Sequence, residues 1–278
     1  MKTMNTNIDQ KYANLKRFIA KEGKDGVVIA FSGGVDSSTL AAICRDVLGE
    51  KAVAVIAKSP TYTSGEMVDA KAVAQEIGIK LQVVETDEMS NENFSRNPEN
   101  RCYYCKKELL TQLLKVANQL GFKAVFEGTN FSDLLEHRPG FQAVKELPNV
   151  YSPWFENKFT KDEIRLVAKQ IGLSVQNKPS LACLASRIPF NEKITPEKLS
   201  RIEQAEQTIK EITGVNQLRV RDHNGLARIE VGRDERERLC NTETFDKINS
   251  NLKQLGFKYV TVDLEGYRTG SMLHTLNN

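Results

Sequence analysis

The chain has 278 residues, 40% of them hydrophobic, with 39 Lys+Arg against 36 Asp+Glu and a formal net charge of +3. That length fits two domains with a buried core, and so small a charge excess gives no electrostatic reason to expect a nucleic-acid partner. No apolar run is long enough to cross a membrane and the first eight residues lack a secretory core, so a cytoplasmic location is expected, in which the five cysteines read as metal ligands, reactive thiols or buried residues rather than disulfides.

In chain order, the apolar run 27–31 predicts a buried strand. It feeds Ser32-Gly33-Gly34-Val35-Asp36-Ser37-Ser38, after which a helix is predicted over 37–48, ended by Gly49. A strand running through a glycine turn into a helix N-terminus is an anion site, because unpaired backbone N–H groups and the positive end of the helix dipole point at one spot. Gly33 and Gly34 let the backbone approach a phosphate, Ser32, Ser37 and Ser38 add hydroxyls, and Asp36 can hold Mg²⁺. The loop lacks the lysine of a Walker A motif.

Further strands are predicted over 52–57, 81–84 and 124–127. Between them come helices over 64–77, with Ser64 as cap candidate, and over 106–120, where Leu109, Leu110, Leu113, Leu114, Val116, Ala117 and Leu120 make an apolar face. Thr160 three residues before Glu163 is a capping-box signature for a helix over 160–171. This alternation argues for a parallel sheet with helices on both faces, its ligand lying beyond the C-terminal strand ends. After Pro189 the pattern changes. A helix starts at Thr195-Pro196, two short strands over 217–221 and 227–231 flank the hairpin signal Asn224-Gly225, and a helix over 243–255 and a strand over 259–264 follow. The predicted division is 1–189 and 190–278.

Cys102-Tyr103-Tyr104-Cys105 lies just before the predicted helix 106–120, and thiolates are favoured at helix N-termini. Cys183 adds a third thiol from a distant loop. Zinc, an iron–sulfur cluster, a redox pair or no ligand at all are the open readings; three thiolates would leave one metal position vacant. Cys44 reads as core, and nothing around Cys240 suggests a site. His137, His223 and His274 have no second histidine at ligand spacing and read as hydrogen-bonding or surface residues.

The Ser32–Ser38 pattern resembles the PP-loop of ATP pyrophosphatases, which cut ATP between its α- and β-phosphates. Together with Arg101-Cys102-Tyr103-Tyr104-Cys105-Lys106, Glu127-Gly128-Thr129-Asn130, Arg138-Pro139-Gly140, Ala182-Cys183-Leu184-Ala185-Ser186-Arg187-Ile188-Pro189, Arg219-Val220-Arg221, Ala227-Arg228-Ile229-Glu230 and Asp263-Leu264-Glu265-Gly266-Tyr267-Arg268, it resembles the LarE family from about residue 25 to 273. The resemblance implies an α/β fold: a Rossmann-like parallel sheet of the adenine nucleotide alpha hydrolase type, plus a smaller C-terminal α+β domain for substrate binding and assembly into a homo-oligomer. It implies ATP, Mg²⁺ and a small nucleotide substrate, pyridinium-3,5-biscarboxylic acid mononucleotide, whose carboxylate is adenylated before sulfur displaces AMP, on the route to a nickel-pincer nucleotide cofactor. Ser32, Gly33, Gly34, Asp36, Ser37, Ser38 and Arg187 are expected to bind the nucleotide. Cys183, Glu206, Arg219, Arg221 and Glu230 are expected to act in catalysis, the arginines as clamps for the anionic substrate. Having all three cysteines, the chain resembles the branch in which Cys102, Cys105 and Cys183 hold a 4Fe–4S cluster whose open iron carries sulfide from an unknown source. The alternatives are sacrificial sulfur donation by Cys183 and a tRNA thiolase of the same superfamily.

Overall fold

A computed structural model describes residues 6–135, 139–179 and 182–268. His137, Arg138, Leu181 and His274 lie outside the described residues. The chain divides into two compact units, Met1–Glu88 with Asn100–Leu181, and Met89–Glu99 with Ala182–Asn278.

The first unit is built on helix α1 (Thr6–Glu22), strand β1 (Val27–Ala30), α2 (Val35–Leu48), β2 (Ala52–Lys58), α3 (Ser64–Ile77), β3 (Lys80–Glu85), α4 (Arg101–Gln119), β4 (Ala124–Phe126), β5 (Val150–Tyr151) and α5 (Lys161–Gln170). Its five strands lie in the order β3-β2-β1-β4-β5, and every pairing is parallel. Alternate side chains along each strand serve opposite faces. Val27, Ile29, Ala54, Ile56 and Phe126 join one apolar core with residues of α1, α2, α3 and α5. Val28, Val53, Val55 and Val125 join the other, against Leu110, Leu113 and Val116 of α4. Both faces being covered explains why these strands read as continuous apolar runs. The expected parallel α/β sheet is therefore present, extended by β5, which is too short to leave a sequence signal.

Two local readings change and a third holds. Thr63, not Ser64, caps α3, in a capping box with Glu66. α5 carries the expected box, with the Thr160 side chain accepting from Glu163 N–H and Glu163 accepting from Thr160 N–H. α4 begins at Arg101, five residues earlier than the apolar pattern suggests, because Cys, Tyr, Tyr and Cys are indifferent helix formers and say little about where the first turn starts.

The second unit contains α6 (Pro196–Thr213), β6 (Leu218–His223), β7 (Leu226–Val231), α7 (Thr242–Gln254) and β8 (Tyr259–Val262). β6 and β7 form the expected hairpin, with Asn224 and Gly225 both at positive φ, and β8 pairs parallel to β7. One sheet face carries Val220, Ala227 and Ile229 against Ile209 of α6 and Ile248 and Leu252 of α7. The alternate positions, Arg219, Arg221, Arg228 and Glu230, thus share the opposite face. Residues 89–99 also belong to this unit. The buried Asn97 amide donates to the carbonyls of Ile188 (3.2 Å) and Pro189 (2.6 Å), and the N–H groups of Asn191 and Ile194 donate to Asn97 and Ser95.

Candidate active site

The loop after β1 is shaped by one close approach. Gly33 has φ +69°, and a Cβ there would lie 2.8 Å from Ala70 Cα, so only glycine lets the turn lie against α3. α2 then starts at Val35 behind a Gly34 N-cap with no side-chain cap, which leaves its first N–H groups for a ligand. The Ser37 hydroxyl lies 3.1 Å from the Ser32 hydroxyl and donates to Gly34 O. Two buried side-chain atoms of this loop have no hydrogen-bond partner among the described residues: Ser38 Oγ and Asp36 Oδ1. Orphaned buried oxygens are costly in an apolar setting. Here they fit a phosphate and a hard cation such as Mg²⁺, which takes carboxylate and phosphate oxygens.

The other Asp36 oxygen accepts from Lys161, the first residue of α5, and Trp154 Nε1 donates to Asp36 O at 3.0 Å. Burial pushes the Asp36 carboxyl above its ordinary pKa, against the pull of Lys161. Beside the loop, a Cβ on Gly128 would stand 3.4 Å from Asp36 Cβ. The preceding Glu127 is fully buried and accepts from Lys106 Nζ (2.6 Å), from Thr129 Oγ1 (2.8 Å) and from Ser152. Burial alone would raise its pKa. The Lys106 ammonium and the hydrogen bonds outweigh that and hold it below the usual glutamate value.

Lys106 follows Cys105 directly, so this ion pair ties the start of α4 to the end of β4. Cys102 and Cys105, three apart in the first turns of α4, share one helix face. Cys102 is exposed and Cys105 partly so. Cys183, also partly exposed, belongs to the second unit. Among the described residues no group of three or more His, Cys, Asp and Glu side chains is gathered to hold a metal ion. Cys44 is fully buried, which pushes its thiol pKa up, as a core residue requires.

In the second unit the predicted site residues form one network. Cys183 caps the short turn Leu184–Arg187. Arg187, 3% exposed, grips Glu206 with two hydrogen bonds (Nε–Oε1 2.9 Å, Nη2–Oε2 3.1 Å) and donates through Nη1 to Cys183 O at 2.9 Å. Glu206 also accepts from Val220 N–H of β6 (3.0 Å). Arg221 donates to Glu230 (2.7 Å) and to Ser186 O (3.0 Å), and Glu230 takes Arg228 on its other oxygen (3.0 Å). Arg219 differs from these: among the described residues it makes no ion pair, and its Nη1 donates only to Leu218 O (2.7 Å). His223 lies at the end of β6; burial and the nearby Arg228 lower its pKa.

The family model described as NAD synthase matches residues 7–113, the part that carries the phosphate loop. A curated "Pyridinium-3,5-bisthiocarboxylic acid mononucleotide synthase" from Lactiplantibacillus plantarum is 34% identical over 252 residues, covering 90% of each chain. The chain belongs to the LarE family. An uncharacterized Synechocystis protein is 42% identical over 97% of this chain and 99% of its own. An "NH(3)-dependent NAD(+) synthetase" from Pyrococcus horikoshii is 30% identical over only 62% of this chain and 68% of its own. Among LarE-type features, sequence reasoning singled out the loop and the charged second-unit residues. It missed Lys161, whose partner lies 125 residues away, and the role of Glu127 as acceptor for Lys106, Thr129 and Ser152. Neither contact leaves a local signal, although Glu127 ends a predicted strand at the sheet edge where ligands bind.

Proposed function

We propose that this LarE-family enzyme is an ATP-dependent sulfurtransferase that converts a carboxylate of pyridinium-3,5-biscarboxylic acid mononucleotide into a thiocarboxylate, toward a nickel-pincer nucleotide cofactor. The observation that carries the reading is the phosphate loop with its partnerless Ser38 Oγ and Asp36 Oδ1, in a chain similar to a pyridinium-3,5-bisthiocarboxylic acid mononucleotide synthase over 90% of its length.

The chemistry follows from the groups present. A substrate carboxylate oxygen attacks the α-phosphorus of ATP, the bond from that phosphorus to the bridging oxygen breaks, and pyrophosphate leaves with the electron pair. The loop N–H groups and Ser32, Ser37 and Ser38 hold the departing phosphates, Asp36 takes Mg²⁺, and Lys161 offsets the growing charge. The acyl-adenylate then accepts a sulfur nucleophile at its carbonyl carbon, a C–S bond forms, and AMP departs with the C–O pair. Arg187, pinned by Glu206, fixes the backbone carbonyl of Cys183, so this residue positions the thiol-bearing turn. Arg219 and Arg221 supply the positive face for an anionic substrate.

Cys102, Cys105 and Cys183 are the residues that would hold a 4Fe–4S cluster. Their thiolate chemistry fits one, with a single iron left open to carry sulfide. A homo-oligomer is the expected assembly, with the second unit binding substrate.

The test is anaerobic purification followed by iron and acid-labile sulfide analysis, then incubation with ATP, Mg²⁺ and the pyridinium biscarboxylate. AMP, pyrophosphate and a thiocarboxylate product are expected, with four irons per chain by the ligand arithmetic of such clusters (~4), lost in Cys102→Ala, Cys105→Ala and Cys183→Ala. Turnover without iron, with Cys183 left lacking its sulfur, would replace the cluster by sacrificial donation. Absence of AMP would refute the adenylation.

A further inference from the structure

Arg219 stands out in the second unit because every carboxylate near it is already engaged. Its cross-strand neighbour in the β6–β7 pairing is Glu230, yet the two Glu230 oxygens accept from Arg221 and Arg228. Glu206 is held by Arg187 through both oxygens. Asp263 faces Arg228 at 3.7 Å and Arg268 at 3.9 Å. What Arg219 has is an aromatic ring: its guanidinium carbon lies 5.3 Å from the centroid of Tyr267. Burial, and then the neighbouring Arg187, pull its pKa below the ordinary arginine value, which marks a cation short of negative charge.

The segment that brings Tyr267 there is locked. Asp263 Oδ1 accepts from the N–H groups of Glu265 (2.9 Å) and Gly266 (3.2 Å). Arg236 donates to the carbonyls of Leu264 (2.8 Å) and Glu265, and Tyr267 N–H donates to Val231 O of β7 at 3.0 Å. Gly266 has φ +72°, and a Cβ there would collide with Val231 O, so the turn closes onto the strand only with glycine. Five contacts thus fix the backbone that carries the ring, whose one charged neighbour by ring contact among the described residues is Arg219.

We propose that Tyr267 is a positioning residue: its ring holds in one plane the guanidinium of Arg219, the clamp expected for the anionic substrate, which has no carboxylate partner among the described residues. This rests on the sulfurtransferase reading only for the identity of that substrate. A guanidinium stacked on an aromatic face keeps its in-plane N–H donors, so it presents a fork to a phosphate or carboxylate without losing side-chain freedom at the moment of binding. Arg187, Arg221 and Arg228 each donate to Glu206 or Glu230 and shape the face; Arg219 has no such carboxylate among the described residues.

The experiment is calorimetric titration with two probes, nicotinamide mononucleotide, which has a phosphate and no carboxylate, and nicotinate, which has the reverse. Replacing Tyr267 with 3,4,5-trifluorophenylalanine keeps the ring's shape and removes its negative face, so folding is preserved. It is expected to weaken the responding probe about fivefold or more, while Tyr267→Phe stays within about twofold. In an Arg219→Gln background neither change should have any further effect, as coupling through one contact requires. The probe that responds tells whether the pair takes the phosphate or the ring carboxylate. Affinity of the trifluorinated protein for both probes equal to that of the wild type, an undiminished ring effect without Arg219, or no binding of either probe by the wild type would overturn the proposal. If the wild type shows the coupling but makes no AMP from the biscarboxylate and ATP, the substrate reading fails and the positioning role stands.

Discussion

Lys161 and Asp36 make a charge pair at the bottom of the phosphate loop, and a nucleotide with its cation must reorganise it. One Asp36 oxygen serves Lys161 and the other is buried without a partner, so the site has room for a cation beside the lysine. Lys161→Met is expected to lower kcat for AMP formation at least about tenfold, as loss of a group that stabilises developing charge does, with the KM for the acyl substrate unchanged in steady-state kinetics. Glu127 gives a pH signature. Its folded pKa lies below the unfolded value, so its contribution is present above the ordinary glutamate range and is lost as pH falls through the folded value. Thermal unfolding across that acidic window should show this loss in the wild type and not in Glu127→Gln, which should also be less stable at neutral pH by roughly 1–3 kcal/mol. At this scale the sequence was informative wherever chemistry was local. Ser32 to Ser38 could be read as an anion loop from residue types alone. Lys161 and Tyr267 could not, because each matters through a partner far away along the chain.

The elements show where periodicity speaks and where it does not. β1, β2 and β4 were legible because both faces are buried, and the helices α2 and α5 because their ends are marked by glycine and by the Thr160–Glu163 box. α1 went unread although Tyr12, Leu15 and Ile19, the last two fully buried, follow a helical spacing that a longer window over the N-terminus would have caught. The earlier start of α4 matters more. It turns Cys102 and Cys105 from loop residues into neighbours on one helix face. Two substitutions probe the elements that frame the loop. Gly33→Ala meets both a positive φ and the backbone of Ala70; we expect loss of ATP-dependent turnover and a lowered Tm, checked by pyrophosphate release and calorimetry. Thr160→Ala removes the cap of α5 and should cost about 1 kcal/mol by denaturant titration, with a fall in kcat for AMP formation because Lys161 is the next residue.

For the whole molecule, the two-part composition was readable from the change of pattern near Pro189, but the path of the chain was not. Residues 89–99 lie in the second unit, and nothing in their polar sequence announces partners at Ile188, Pro189 and Ile194. A fragment of residues 182–278 alone would leave the Ile188 and Pro189 carbonyls without the Asn97 amide. Each such loss costs about 1–3 kcal/mol when the group stays buried, so the fragment should melt early by circular dichroism, and a synthetic peptide of residues 89–99 should raise its Tm. Whole-chain binding is testable in the same way: Mg²⁺ with ATP at one hundred times its Kd should stabilise the protein by about 2.7 kcal/mol, an effect that Asp36→Asn should abolish.

That interleaving has a consequence for synthesis and for inheritance. Asn97 leaves the ribosome 92 residues before Pro189, so an early stretch of the second unit must wait for partners that are made much later. Any exchange of the second unit between relatives, natural or engineered, must therefore carry two separate stretches of coding sequence, and a single crossover would deliver a unit that is missing one of its own stitches.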